Sequence, residues 1–217
     1  MADEFKLGVV LLAAGASRRF AGIKQLATLS DPVSQTCSSL QKPPMLQSAL
    51  EVLSRLSAYK KLVTLGANKE AIMTQIQLPD GINFSYVSDW DEGIAASIRN
   101  GIKALQDCSH VLIILADQPN ISLSVYTCLI DKSKNNLKDI ICARYEQENA
   151  VPAIFPAPYF ALLRALKGDK GAGKLLNTSK EISVIAMPLE NGAFDIDTQK
   201  DLATWRKQNK RKNENDS

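Results

Sequence analysis

An apolar run near the amino terminus breaks abruptly into a loop of small residues, and positively charged residues follow that loop. The run covers residues 7–13, the loop opens at Gly15, and the cations are Arg18, Arg19 and Lys24. A short apolar run bounded in this way is typical of a buried strand. Backbone N–H groups at the end of such a strand can bind an anion, and the cations can neutralise it. The pattern predicts a binding loop for phosphate groups, with a nucleoside triphosphate as the obvious ligand.

The spacing of this loop excludes two better-known phosphate loops. Gly15 is followed by Gly22 and then by Lys24, so the G-x-x-x-x-G-K-[ST] pattern of a P-loop is absent. The G-x-G-x-x-G pattern is absent as well, because Ser17 stands where its second glycine would be. The second absence disfavours a redox enzyme built on a dinucleotide-binding fold.

Short apolar runs alternate with amphipathic helical patterns along the whole chain. We predict strands at 7–13, 62–65, 82–87, 111–115, 140–143 and 182–186. We predict helices at 45–56, 69–76, 94–105, 123–130, 159–166 and 198–205. This alternation is typical of an α/β fold, with a mainly parallel sheet covered by helices on both faces. In such sheets ligands bind beyond the carboxyl ends of the strands.

The length and the charge of the chain indicate how many domains it has and which classes of partner it binds. A chain of 217 residues fits one domain, which we assign to 1–205, followed by a polar, disordered tail at 206–217. The net charge of +3 is small, and much of it comes from that tail, so we expect no nucleic-acid partner. The amino terminus is acidic and carries no long apolar run, so we expect neither a signal peptide nor a membrane partner.

The cysteines are too widely spaced to define a metal site or a disulfide framework. Cys37, Cys108, Cys128 and Cys142 form no C-x-x-C pair, and His110 is the only histidine. We therefore expect reduced thiols and a cytoplasmic location.

A carboxylate directly follows the apolar strand predicted at 111–115. The sequence there is Ala116-Asp117-Gln118-Pro119. At the ligand-binding edge of a sheet, Asp117 can hold Mg²⁺ against phosphate oxygens. The alternative is that Asp117 caps the helix that follows.

Two further carboxylates precede the last predicted helix, in the string Asp195-Ile196-Asp197-Thr198. Asp197 or Thr198 suits the N-cap of that helix. The two carboxylates also make a second anchor for a divalent ion, and of the two we favour Asp197.

Four segments resemble the motifs of the MobA-like nucleotidyltransferases. Residues 12–24 are similar to L-A-A-G-x-S-x-R-x-G-x-x-K, lengthened by Ala21, and 116–119 are similar to [GA]-D-[QM]-P. Residues 88–99 resemble N-x-x-W-x-x-G-[ML]-x-x-S-[IL], and 168–174 resemble G-D-[KR]-G-A-R. The resemblance implies a Rossmann-like three-layer sandwich of the nucleotide-diphospho-sugar transferase type. It also implies a Mg²⁺-dependent enzyme that moves a nucleotide onto a phosphorylated acceptor.

The resemblance also implies roles for individual residues. The expected nucleotide-binding residues are Leu12, Ala13, Ala14, Gly15, Ser17, Arg18, Lys24, Gly93 and Ser97. Arg18, Lys24 and Asp117 are the expected catalytic residues, and Asp117 and Asp197 the expected metal ligands. Tight packing at the start of a helix is the alternative role for Gly93 and Ser97.

The substrates are predicted by weaker signals. Guanylyltransferases of the family tend to carry L-A-G-G, whereas the form with Ala14 resembles the cytidylyltransferases, so Ala14 favours CTP. The resemblance implies molybdopterin as the acceptor and molybdoenzyme maturation factors as partners. Lys170 or Lys174 is expected at the phosphate of the acceptor. A sugar or alcohol phosphate is the alternative acceptor, and a non-catalytic nucleotide-binding protein is the alternative class. The polar insertion at 28–44 has no counterpart in the family pattern.

Overall fold

One seven-stranded sheet runs through the part of the chain that the computed structural model describes, which is residues 4–30, 43–178, 182–189 and 194–215. The strands are β1 (Leu7–Leu12), β2 (Lys60–Leu65), β3 (Ile82–Tyr86), β4 (His110–Leu115), β5 (Ile140–Tyr145), β6 (Glu148–Pro156) and β7 (Val184–Pro188). Their order across the sheet is β3-β2-β1-β4-β6-β5-β7. All pairings are parallel except those of β6, which lies antiparallel to β4 and β5.

Helices cover both faces of this sheet. They are α1 (Met45–Arg55), α2 (Lys69–Met73), α3 (Ile94–Ala104), α4 (Leu123–Lys134), α5 (Phe160–Arg164), α6 (Ala172–Thr178) and α7 (Gln199–Asn215). Apolar residues of α1, α2 and α4 pack on one face, and those of α3, α5 and α6 pack on the other. The predicted three-layer α/β architecture is therefore confirmed.

Strand β1 shows why the central strands carry continuous apolar runs. Val9 and Leu11 belong to the core on the α1 side, whereas Val10 and Leu12 belong to the core on the α3 side. All four are buried. Because successive side chains of a strand point to opposite faces, a strand between two helical layers must be apolar at every position.

Two elements extend beyond their predictions. The pattern of residues 146–158 predicts a turn and a short strand, but β6 there is nine residues long and pairs with β4 on one side and with β5 on the other. Helix α7 continues past Trp205 to Asn215, into the segment predicted to be a disordered tail, and Arg206 there donates to the carbonyl of Thr28. No helix in the described ranges has the length and apolar character that a membrane span requires.

Most of the predicted insertion at 28–44 lies outside the described residues, which resume at residue 43. Its ends meet, because Thr28 pairs with Pro44 in an isolated bridge and Met45 N donates to the carbonyl of Ala27 at 2.9 Å.

The register of the central strands brings the loops after β1 and β4 together. Leu12 lies opposite Leu115, and Ala116 N donates to the carbonyl of Leu12 at 3.2 Å. The chain before α7 joins them, because Ile196 N donates to the carbonyl of Asp117 at 3.0 Å. Three segments distant in sequence therefore meet at the carboxyl edge of the sheet.

Candidate active site

A cavity of about 520 Å³ opens at this carboxyl edge. The structure brings to its wall all the residues that were predicted to bind the nucleotide or the metal or to act in catalysis: Leu12, Ala13, Ala14, Gly15, Ser17, Arg18, Lys24, Gly93, Ser97, Asp117 and Asp197. The wall also contains residues that the sequence did not single out, among them Gln25, Met45, Ile94 and Asp169. Lys170 and Lys174, expected at the acceptor, are not among the lining residues.

The loop after β1 is held from inside by the side chain of Gln25. This side chain is buried, and its Nε2 donates to the carbonyl oxygens of Ala13 and Gly15, both at 2.9 Å. One amide group thus satisfies two carbonyls of the loop. A polar residue just after Lys24 gives no sign of burial in the sequence, so sequence reasoning missed Gln25.

Ser17 completes the turn of the same loop. Its backbone has a φ of 56°, in the left-handed region that non-glycine residues seldom adopt. Its hydroxyl donates to Oε1 of Gln25 at 3.2 Å and accepts from the backbone N–H of Lys24 at 3.3 Å. Ser17 and Gln25 together fix where the chain carries Lys24.

The ammonium group of Lys24 lies between two carboxylates. Its Nζ is 2.6 Å from Oδ2 of Asp117 and 3.0 Å from Oδ1 of Asp197. Burial on its own lowers the pKa of Lys24, but the two carboxylates outweigh that effect, and the pKa lies above its ordinary value. Lys24 therefore stays charged at any ordinary pH.

The carboxylates have capacity to bind more than this one ammonium. Oδ1 of Asp117 is buried and has no hydrogen-bond partner. Because both carboxylates contact the same nitrogen, oxygens from each lie within reach of a single cation placed between them. Buried polar atoms are seldom left unpaired, so the arrangement favours an additional cationic ligand here.

Arg19, rather than Arg18, pairs with this cluster. Its guanidinium donates to Oδ2 of Asp197 at 2.8 Å, while Arg18 lines the cavity with an exposed side chain. The family motif already indicated Arg19, because the arginine of the motif stands two places after its serine, and Arg19 stands two places after Ser17.

The start of α7 settles which residue caps that helix. The backbone N–H of Asp201 donates to Oγ1 of Thr198 at 3.2 Å, and the N–H of Thr198 donates to Oδ2 of Asp201 at 2.7 Å. This reciprocal pair is a capping box. Asp197 is not needed as a cap, and its side chain faces the cavity. Asp195 instead accepts a hydrogen bond from Gln118 at 2.9 Å and does not line the cavity.

The opposite wall depends on two glycines. A Cβ on Gly66 would lie 2.5 Å from Cβ of Trp90 and 2.7 Å from the carbonyl oxygen of Ala14. Gly93 has a φ of 124°, and a Cβ there would lie 2.4 Å from Oδ1 of Asp169. Each glycine lets two segments approach closely. Gly93 was predicted from its motif, but Gly66 lies in no motif and was missed.

The chain belongs to a family of transferases. The model of the MobA-like NTP transferase domain matches residues 9–182. The nicotine blue oxidoreductase of Paenarthrobacter nicotinovorans is 25% identical over 198 residues, which cover 87% of this chain and 91% of that protein.

Solved structures share the whole fold. Rv0371c of Mycobacterium tuberculosis H37Rv is 25% identical, covers 93% of this chain and 98% of its own, and has a TM-score of 0.78. A manganese complex of the same mycobacterial protein, at 24% identity, covers 93% of this chain and 97% of its own with a TM-score of 0.73. A molybdopterin-guanine dinucleotide biosynthesis protein A from Archaeoglobus fulgidus is 17% identical. It covers 94% of this chain and 99% of its own, with a TM-score of 0.64. The family and fold are those of nucleotidyltransferases.

The geometry of Lys24 predicts a gain in cation binding when its charge is removed. In Lys24→Met the two carboxylates lose their shared ammonium, so the protein without nucleotide should bind Mn²⁺ about tenfold more tightly or better. Electron paramagnetic resonance of free Mn²⁺ measures this affinity. Lys60→Met is the matched control, because Lys60 pairs with Asp107 and lies outside the cavity. Equal or weaker Mn²⁺ binding by Lys24→Met would contradict this interpretation.

Proposed function

We propose that the protein is a Mg²⁺-dependent nucleotidyltransferase that moves CMP from CTP to a phosphorylated acceptor and releases pyrophosphate. One observation carries the proposal: a loop with cationic side chains faces two carboxylates across a single cavity, and Lys24 joins the two sides. A triphosphate with its metal ion presents the complementary pattern, since its anionic oxygens need cations and its metal needs carboxylates.

Asp117 and Asp197 would hold the divalent ion. The unpaired Oδ1 of Asp117 and the shared ammonium support this assignment, because both show a place where positive charge is stabilised. Among the described residues, no group of three or more His, Cys, Asp and Glu side chains is arranged to hold a metal. Two carboxylates plus phosphate oxygens and water are the usual ligands of Mg²⁺ at nucleotides. The manganese complex of the mycobacterial structure gives further support.

The remaining groups of the cavity would bind and orient the triphosphate. Backbone N–H groups of the loop at Gly15 would contact the α and β phosphates, while Lys24 and Arg18 would neutralise their charge. The bound ion, when present, neutralises charge that develops on the phosphate oxygens. Leu12, Ala13, Ser17 and Gln25 would keep the loop in its shape, so little reorganisation accompanies the reaction.

The transfer itself needs no covalent intermediate on the protein. An oxygen of the acceptor phosphate attacks the α-phosphorus of CTP in line, a new P–O bond forms, and the bond to the β-phosphate oxygen breaks as pyrophosphate leaves. A phosphate monoester is already anionic at neutral pH, so no general base is required. Catalysis would rest on positioning and charge neutralisation.

Molybdopterin is the acceptor that the sequence resemblance favours. The likeness to the Archaeoglobus protein named for molybdopterin-guanine dinucleotide biosynthesis supports it at the level of the fold. A sugar phosphate or an alcohol phosphate is the alternative. With molybdopterin as acceptor, the reaction would take place in the cytoplasm and molybdoenzyme maturation factors would take up its product. The free Cys108, Cys128 and Cys142 agree with a reducing compartment.

A redox reaction is the second candidate function. The observation that favours it is the relative named nicotine blue oxidoreductase, which is similar over most of both chains. The charge pattern of the cavity favours phosphate transfer. Consumption of a nicotinamide cofactor without pyrophosphate release would decide for the redox reaction.

The proposal predicts pyrophosphate release that depends on Asp117. The protein is incubated with each of the four NTPs, Mg²⁺, and molybdopterin, a sugar phosphate or an alcohol phosphate, and pyrophosphate is measured. Asp117→Asn should lower the rate about a hundredfold or more, because charge stabilisation at the phosphates is lost. Asp107→Asn is the matched control and should keep the rate, since Asp107 pairs with Lys60 outside the cavity. The proposal would be rejected if the wild-type protein and the variants released no pyrophosphate. It would also be rejected if the rate of Asp117→Asn lay within a few-fold of the wild-type rate.

A preference for CTP over GTP is predicted from Ala14. This residue is buried in a small cluster with Val87, Ala96 and the partly buried Trp90, beside the cavity. Steric exclusion of a larger base by one methyl group is worth roughly 1–3 kcal/mol, so we expect the protein to prefer CTP over GTP by about ten- to a few-hundred-fold. Ala14→Gly should narrow it.

Competition between CTP and GTP in one reaction measures this preference. Ala67→Gly removes a methyl from a buried neighbour that does not line the cavity, and it should leave the preference unchanged. Equal use of GTP and CTP by the wild-type protein would show that Ala14 is no gate.

A further inference from the structure

One wall of the cavity is built from two segments that lie far apart in the sequence. Trp90, Gly93 and Ser97 come from the turn before α3 and from its first turns, whereas Asp169 comes from the loop between α5 and α6. The width of the cavity on this side depends on how these two segments are held against each other.

The backbones of the two segments touch directly. Ala95 N donates to the carbonyl of Gly168 at 3.1 Å. A Cβ on Gly93 would lie 2.7 Å from the carbonyl carbon of Gly168, closer than real Cβ contacts come. Displacement of residue 168 would therefore displace the start of α3 with it.

Arg99 ties the two segments together from behind the wall. One guanidinium nitrogen donates to Oε1 of Glu92 at 2.8 Å and to the carbonyl of Leu166 at 2.9 Å. The other donates to Oε2 of Glu92 and, at 2.9 Å, to Oδ2 of Asp89. The side chain is 25% exposed and does not line the cavity.

Glu92 forms the second half of this connection. Its Oε1 also accepts from the backbone N–H of Gly168 at 2.9 Å, so one carboxylate joins Arg99 to the loop after α5. The guanidinium of Arg99, followed by the N–H of Gly168, lowers the pKa of Glu92 to about 2. The carboxylate is therefore ionised at every pH at which the protein would work.

We propose that Arg99 is a positioning residue that fixes the wall formed by residues 90–97 and 168–169, and through it the binding of the nucleoside part of the substrate. The proposal rests on the proposed function. The side-chain hydrogen bonds of Arg99 and Glu92 all go to residues 89–99 and 166–168, and none goes to Lys24, Asp117 or Asp197. Arg99 thus acts on the wall away from Lys24, Asp117 and Asp197, where the base and ribose would bind if the phosphates bind at those charges.

Two ligands distinguish binding at the nucleoside end of the cavity from binding at the phosphate end. CTP carries the base, ribose and phosphates, whereas inorganic tripolyphosphate carries the phosphates alone. In Arg99→Met the dissociation constant of CTP should rise about tenfold, because a wall displaced by a fraction of an ångström loses its fit, and that of tripolyphosphate should change less than about twofold. Arg99→Lys should lie between wild type and Arg99→Met for CTP, since an ammonium keeps the charge but not the forked geometry.

Isothermal titration calorimetry with Mg²⁺ present measures both constants, and Lys60→Met serves as the control for loss of a surface ion pair. If Arg99→Met weakens CTP and tripolyphosphate equally, Arg99 supports the fold in general and the proposal is wrong. If neither constant changes, the proposal is wrong as well.

Hydrogen exchange separates failure of this proposal from failure of the proposed function. Should the wild-type protein bind neither ligand, the proposed function fails. The positioning of the wall is then judged by exchange of the Gly168 amide, which donates to Glu92. Arg99→Met should speed that exchange about tenfold or more while amides of β1 are unchanged. Unchanged exchange at Gly168 would overturn the positioning role in either case.

Discussion

The contact of Lys24 with Asp117 and Asp197 is the interaction on which the site depends. Its three members come from the turn after β1, the loop after β4 and the segment before α7, so each central loop at the carboxyl edge contributes one charge. The register of β1 against β4, the hydrogen bond from Ile196 to the carbonyl of Asp117 and the capping of α7 all serve to bring these charges together. Without these contacts Lys24, Asp117 and Asp197 would not meet in the cavity.

The cluster is balanced in charge as it stands. Lys24 and Arg19 supply two positive charges, and Asp117 and Asp197 supply two negative ones. A metal–triphosphate complex offers the same charges in reversed pairing, because its metal suits the carboxylates and its phosphates suit the cations. Under the proposed function, substrate binding would therefore be an exchange of partners, in which neither the carboxylates nor the ammonium is left buried and unpaired.

The sequence predicted the features that depend on local pattern. The apolar run with the Gly15 loop, and Asp117 directly after an apolar strand, mark their places without any knowledge of neighbours. Features that depend on packing between distant segments could not be predicted in this way. Gln25 is recognisable only once the carbonyls above it are placed, and Gly66 only once Trp90 is seen beside it. That Asp197 rather than Asp195 lines the cavity is recognisable only once Gln118 is seen to donate to Asp195.

A crystal structure with Mg²⁺ and a CTP analogue that cannot be cleaved between its α and β phosphates tests the exchange of partners most directly. Lys24 Nζ is now 2.6 Å from Asp117. If partners are exchanged, this nitrogen should move beyond ion-pair distance, about 4 Å, and contact a phosphate oxygen, while oxygens of Asp117 and Asp197 bind the ion. A complex in which the nucleotide is bound and Lys24 still contacts Asp117 and Asp197 would contradict this exchange of partners.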